Sequence, residues 1–103
     1  MGRKKVTAMQ LTSSEPIPAN QTAKTLLART LNEVIDERAL TQSQVAELTG
    51  MAQPKVSKIR RFDLQNISLE RLMQALVALN QRVEIVVRPA PNAATSGITV
   101  MQR

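Results

Sequence analysis

The stretch from Thr41 to Ile59 most constrains what this chain can fold into. Thr41-Gln42-Ser43-Gln44 has the spacing of a capping box, in which a threonine hydroxyl and a glutamine side chain satisfy each other's backbone donors at a helix start. A short helix should follow, with Val45 and Leu48 on its buried face. Gly50 then supplies the positive φ that ends a helix tightly. A second helix should open at Gln53-Pro54, because proline fits the first helical turn, where its missing N–H has no bond to make. Val56 and Ile59 are the inward anchors of that second helix. Ala46 is the small residue that lets the two helices cross closely. Ala46, Gly50, Val56 and Ile59 are therefore read as the residues that shape the turn.

The flanking pattern adds further elements. Leu27, Leu31, Val34 and Ile35 recur at three- and four-residue spacing, predicting an amphipathic helix over 20–38. Ser68 is a plausible N-cap for another helix running to Leu79, with Leu69, Leu72, Met73 and Leu76 as its apolar stripe. After Asn80 the period changes to two. Val83, Ile85 and Val87 alternate with Glu84, Val86 and Arg88, which predicts a strand ended by Pro89. Ile98 to Met101 is a second β-like run, able to pair with the first as a hairpin. The organisation read from these signals is a flexible tail over 1–19, a helical domain over 20–81 and a C-terminal strand or hairpin over 82–101. The tail carries the run Arg3-Lys4-Lys5, read as a solubilising end, and is also a place where a partner could dock.

Charge narrows the function. The 103 residues hold 14 Lys and Arg against 8 Asp and Glu, a net charge of +6, which favours a polyanionic partner. The excess is local: Lys55, Lys58, Arg60 and Arg61 stand near a single acid, Asp63, whereas 21–50 is slightly acidic. With no Cys and no His, disulfides, thiolate metal sites and imidazole acid–base chemistry are excluded. Glu33, Asp36 and Glu37 read as a solvated helix face and not as a catalytic pair, so no enzyme, cofactor or metal is expected. Phe62 is the one aromatic residue. Single-strand readers stack bases on aromatic platforms, so duplex DNA is the favoured polyanion. No apolar run approaches the ~20 residues of a membrane helix, and a cytoplasmic location is expected. A helical domain this small is marginal alone, so a homodimer is expected, with Val83, Ile85 and Val87 on a strand that pairs with its copy.

These residues resemble a known family. Thr41-Gln42-Ser43-Gln44-Val45-Ala46, Gly50 and Gln53-Pro54-Lys55-Val56-Ser57-Lys58-Ile59 are similar to the lambda-repressor/Cro-like helix-turn-helix family, also called XRE. Leu-Glu-Arg-Leu-Met at 69–73 and Val-Glu-Ile-Val-Val-Arg-Pro at 83–89 resemble a subgroup that includes HigA-type antitoxins. The resemblance spans about 24–89. It implies a mainly α, five-helix-type domain followed by the C-terminal strand or hairpin. It also implies a recognition helix that enters the major groove from Gln53. Gln53, Lys55, Ser57 and Lys58 are then the base-contacting candidates, since glutamine can pair with adenine through two hydrogen bonds. Thr41, Gln42, Arg60 and Arg61 are the phosphate-contacting candidates. Pro54 departs from the glutamine of some repressors and offers shape there, not hydrogen bonds. The implied function is a dimeric, sequence-specific repressor; the alternative is an antitoxin that neutralises a RelE/HigB-like RNase toxin by direct contact and also represses its own operon.

Overall fold

The apolar stripes in the sequence find one another in four helices. The structure, a computed structural model, describes residues 19–102. They form α1 (Ala19–Glu37), α2 (Gln42–Thr49), α3 (Gln53–Arg60), α4 (Leu69–Ala78) and a 3-10 turn at Ala93–Thr95. The expected N-terminal tail and its Arg3-Lys4-Lys5 run lie outside the described residues, except that Ala19 opens α1.

α1 is the scaffold and packs mainly along α4; α2 packs on α3, and contacts of α1 with α3 and of α2 with α4 close the bundle. The α1 stripe is buried as its spacing requires, with Leu27, Leu31, Val34 and Ile35 joined by Ala23 and Ala28. Val45, Val56, Ile59, Ile67, Leu72 and Leu79 complete the best-buried set with Leu31. Leu69 and Met73 flank this core and are partly buried.

Leu48 departs from expectation. It is 48% exposed, and Met51, just past the Gly50 reversal, supplies the next buried apolar side chain at 5%. The turn redirects the chain so that a residue outside the helix takes the inner position.

Three of the four helices end in one recurring way. After α1, Ala39 adopts φ 53° and Leu40 N–H donates to Ile35 O at 3.0 Å. After α3, Phe62 adopts φ 61° and Asp63 N–H donates to Lys58 O at 2.8 Å. After α4, Asn80 adopts φ 67° and Gln81 N–H donates to Leu76 O at 2.9 Å. Each is a left-handed residue followed by a donor that reaches back five positions, the Schellman closure. Only Asn80 is a residue type that tolerates this region well. Ala39 and Phe62 hold it at a cost of roughly 1–2 kcal/mol each.

The C-terminal segment also differs from expectation. Among the described residues there is no strand, and four α-helices stand where five were expected. Alternation gave 82–88 one apolar face, but a strand also needs a neighbouring backbone to pair with, and none lies beside it. Only Val83 packs on the core, while Ile85 and Val87 stay 74% and 88% exposed. The second run does not join the first. Val100 packs on the helical core, and Gln102 is held at α1: its Nε2 donates to the Glu33 carboxylate and its Oε1 accepts from Thr30 Oγ1. Between the two runs, an Asn92–Thr95 capping box closes the 3-10 turn.

These placements separate two leucines that look alike in sequence. Leu72→Ala should cost about 2–5 kcal/mol by cavity formation, whereas Leu48→Ala should stay within about 0.5 kcal/mol. Urea titration of both variants checks the difference.

Candidate nucleic-acid interface

The site is assembled around the α2–α3 turn. At the start of α2 both bonds of the capping box are formed: Gln44 N–H donates to Thr41 Oγ1 at 3.1 Å, and Thr41 N–H donates to Gln44 Oε1 at 2.8 Å. Thr41 and Gln42 are exposed there, at the positive end of the helix dipole. At the other end, Gly50 has φ 76° and its N–H donates to Ala46 O. Ala46 is partly buried against the core, as a small residue at a helix crossing should be. Thr49 Oγ1 donates to Val45 O at 2.6 Å and accepts Met51 N–H at 3.2 Å. Arg71, from α4, donates to Thr49 O at 3.3 Å. The turn is therefore set by Gly50 conformationally and by Thr49 and Arg71 through hydrogen bonds.

α3 begins without a side-chain cap. Its N-cap is Ala52, and Pro54 lies in its first turn. Val56 and Ile59 are both 1% exposed and fix one face of the helix to the core. Gln53, Pro54, Lys55 and Arg61 are exposed, and Ser57 and Lys58 are half-buried. Arg61 Nη1 donates to Ser57 Oγ at 2.6 Å, which leaves the serine hydroxyl proton available to an outside acceptor.

Arg60 behaves differently from its neighbour. Its guanidinium turns back to α1, donating through Nη1 to Asn32 Oδ1 at 2.8 Å and to Asn32 O at 3.3 Å. Through Nη2 it pairs with Asp36 Oδ1 at 2.6 Å. Asn32 Nδ2 in turn donates to Ile59 O at 3.1 Å, in the last turn of α3. Asn32 is 8% exposed, the buried polar residue among the described ones. The structure thus places Arg60 in a clamp that sets α3 against α1, with Lys55, Lys58 and Arg61 as the remaining cations of the segment.

Asn32 was overlooked in sequence, although a signal was present: it sits four residues after Ala28 and three before Ile35, a polar residue on an apolar stripe. Arg71 and Arg38 were overlooked for a plainer reason. Arg38 Nη1 donates to Leu79 O at 2.9 Å and closes the end of α4. Long-range caps of this kind leave no local pattern.

α2 and α3 thus form a helix-turn-helix whose second helix keeps one face buried and one polar, basic face open. Residues 9–88 match a family model described as "Helix-turn-helix domain". A solved structure named "Putative XRE Family Transcriptional Regulator" is 43% identical, with a TM-score of 0.76 over 82% of this chain and 97% of that one. The chain belongs to the XRE helix-turn-helix family. No curated protein matches it. Membership makes this XRE protein a DNA-binding regulator, and no described helix is long and apolar enough to cross a membrane.

The clamp gives two adjacent arginines opposite expected behaviours. Arg60→Ala strips the hydrogen-bond partner from buried Asn32 and should lower stability by about 1–2 kcal/mol; the half-exposed ion pair adds little to that. Arg61→Ala should leave the midpoint of thermal unfolding nearly unchanged and weaken DNA binding. Thermal melts and DNA titrations of both variants decide the matter.

Proposed function

We propose that this XRE protein is a sequence-specific repressor that binds duplex DNA as a dimer, with α3 in the major groove. The observation that carries the reading is the two-sidedness of α3: Val56 and Ile59 are buried and Arg60 is clamped, while Gln53, Lys55 and Arg61 stand open, with Ser57 and Lys58 beside them. Gln53 lies at the leading end, where a recognition helix first meets base edges, and its amide suits adenine. Lys55, Ser57 and Lys58 are the further base candidates. Thr41, Gln42 and Arg61 serve the phosphates. Arg60, assigned to the phosphates from sequence, acts in this proposal by holding α3 in place.

Residues 20–81 form the reading unit and 82–101 the segment that joins two copies, acting in the cytoplasm where the DNA is. Two copies of Lys55, Lys58 and Arg61 would give a slope of roughly −4 to −6 in log K against log salt. A two-fold dimer would recognise an inverted repeat with half-sites about 34 Å apart.

The resemblance at 69–73 and 83–89 supports a second role, an antitoxin contacting a RelE/HigB-like RNase. Rescue of growth when the chain is co-expressed with the product of an adjacent gene is its test.

The repressor reading is tested by gel shift with the chain's own upstream region against unrelated duplex at physiological salt. Selective, salt-sensitive retardation is expected. Gln53→Ala should weaken the selective complex by about 1–3 kcal/mol and spare the non-selective one. Equal retardation of both duplexes by the parent protein would defeat the proposal.

A further inference from the structure

Ile85, Val86 and Val87 are 74%, 68% and 88% exposed. Isolated apolar residues in water are ordinary, but a contiguous run marks a surface that something else covers. All three are β-branched and suit a pleated strand. The run is bounded by Val83, which packs on the core, and by Pro89, which cannot continue a central ladder. Glu84 and Arg88 stand two residues to either side of Val86.

That symmetry discriminates among ways of pairing the run with its own copy. In an antiparallel pair, opposite side chains share a face, and a two-fold axis normal to the ribbon preserves faces. The axis must therefore pass through a residue and not between two. Centring on Ile85 sets Arg82 against Arg88 of the second copy, a like-charge pair. Centring on Glu84 sets that carboxylate against itself. Centring on Val87 leaves Glu84 opposite Ala90. Centring on Val86 pairs Glu84 with Arg88 of the second copy twice, Ile85 with Val87 twice, and Val86 with itself.

We propose that Glu84–Arg88 pairs antiparallel with the same segment of a second copy, in the register centred on Val86. This rests on the two-copy reading above and gives it a specific interface. Pro89 then faces Val83, which must be a non-hydrogen-bonded site because proline has no N–H. The Val86 pair and the two Glu84–Arg88 pairs are consequently the hydrogen-bonded ones, roughly six backbone bonds in all. In such a strand Val83, Ile85 and Val87 share one face. Val83 already rests on the helical core, so the apolar face of the ribbon continues that core. Glu84 is free to change partner: its pairing with Arg82 at 3.2 Å joins side chains 69% and 87% exposed, and such pairs hold weakly.

The chain has no cysteine, so single cysteines report the register cleanly. Opposed residues lie about 5.5 Å apart at Cα in a hydrogen-bonded pair such as Val86 with itself, and about 4.5 Å in a non-hydrogen-bonded one such as Ile85 with Val87, both within disulfide reach. Under mild oxidation and without DNA, Val86→Cys should give a covalent dimer. Ile85→Cys alone should not, but Ile85→Cys mixed with Val87→Cys should. Glu84→Arg should raise the dimer dissociation constant about tenfold, and the swap Glu84→Arg with Arg88→Glu should restore it. All these positions are exposed, so helix content by circular dichroism should stay constant. Linking by Ile85→Cys alone as fast as by Val86→Cys overturns the register. A dimer in sedimentation that ignores every substitution in Glu84–Arg88 overturns this interface and leaves the two-copy reading standing. A monomer at all concentrations overturns both, and linking only after a different partner protein is added overturns this interface.

Discussion

The Asn32 amide joins the scaffold helix α1 to α3, and the orientation of the exposed face of α3 depends on it. Its Nδ2 holds the Ile59 carbonyl, and its Oδ1 receives the Arg60 guanidinium, which also reaches Asp36. A buried amide left without partners is costly, so the three groups stabilise one arrangement of α1 and α3 and penalise rotation away from it. Val56 and Ile59 supply the apolar attraction, but apolar contact is non-directional. The hydrogen bonds convert a packed helix into an aimed one. In the DNA complex proposed above, α3 would arrive with its backbone already set, and less ordering entropy would be lost on binding.

The turns around α3 follow the same logic. The tight reversal before it uses Gly50, where φ 76° carries no side-chain penalty. The reversal after it uses Phe62 at φ 61°, a bulky residue in a region it rarely occupies. Backbone strain of this kind persists only where the surroundings over-determine it. Here the Asp63 N–H bonded to Lys58 O and the Arg60 clamp are those surroundings. The exit of α3 is thus fixed by contacts, at the expense of local conformational comfort.

The helical part of this architecture was legible because its signals are local. A capping box, a glycine at a left-handed position, a proline in a first turn and apolar spacing of three and four each speak for the residues that carry them, and Thr41, Gly50, Pro54, Val56 and Ile59 stand where those signals put them. Leu48 was misplaced because periodicity cannot foresee how a turn re-aims the chain toward Met51. The left-handed closures at Ala39 and Phe62 were hidden because neither residue advertises positive φ. The strand expected over 82–88 does not form among the described residues, because alternation gives one apolar face but no second backbone to pair with. In the candidate site, exposure of Gln53, Lys55 and Arg61 followed from the helix register. The inward turn of Arg60 did not, since adjacent arginines look alike until the buried amide of another helix distinguishes them.

In the proposed complex the exposed face of α3, aimed from behind by Asn32 and Arg60, meets the DNA. The most direct test is to follow backbone amide NMR signals of the labelled protein as a short duplex from the selectively retarded upstream region is added. The largest shifts should fall on Gln42, Gln53, Lys55, Ser57, Lys58 and Arg61, with Ala23 and Arg82 hardly moved. Large shifts confined to the outer side of α4 at Gln74 and Val77, with α3 unchanged, would contradict the account.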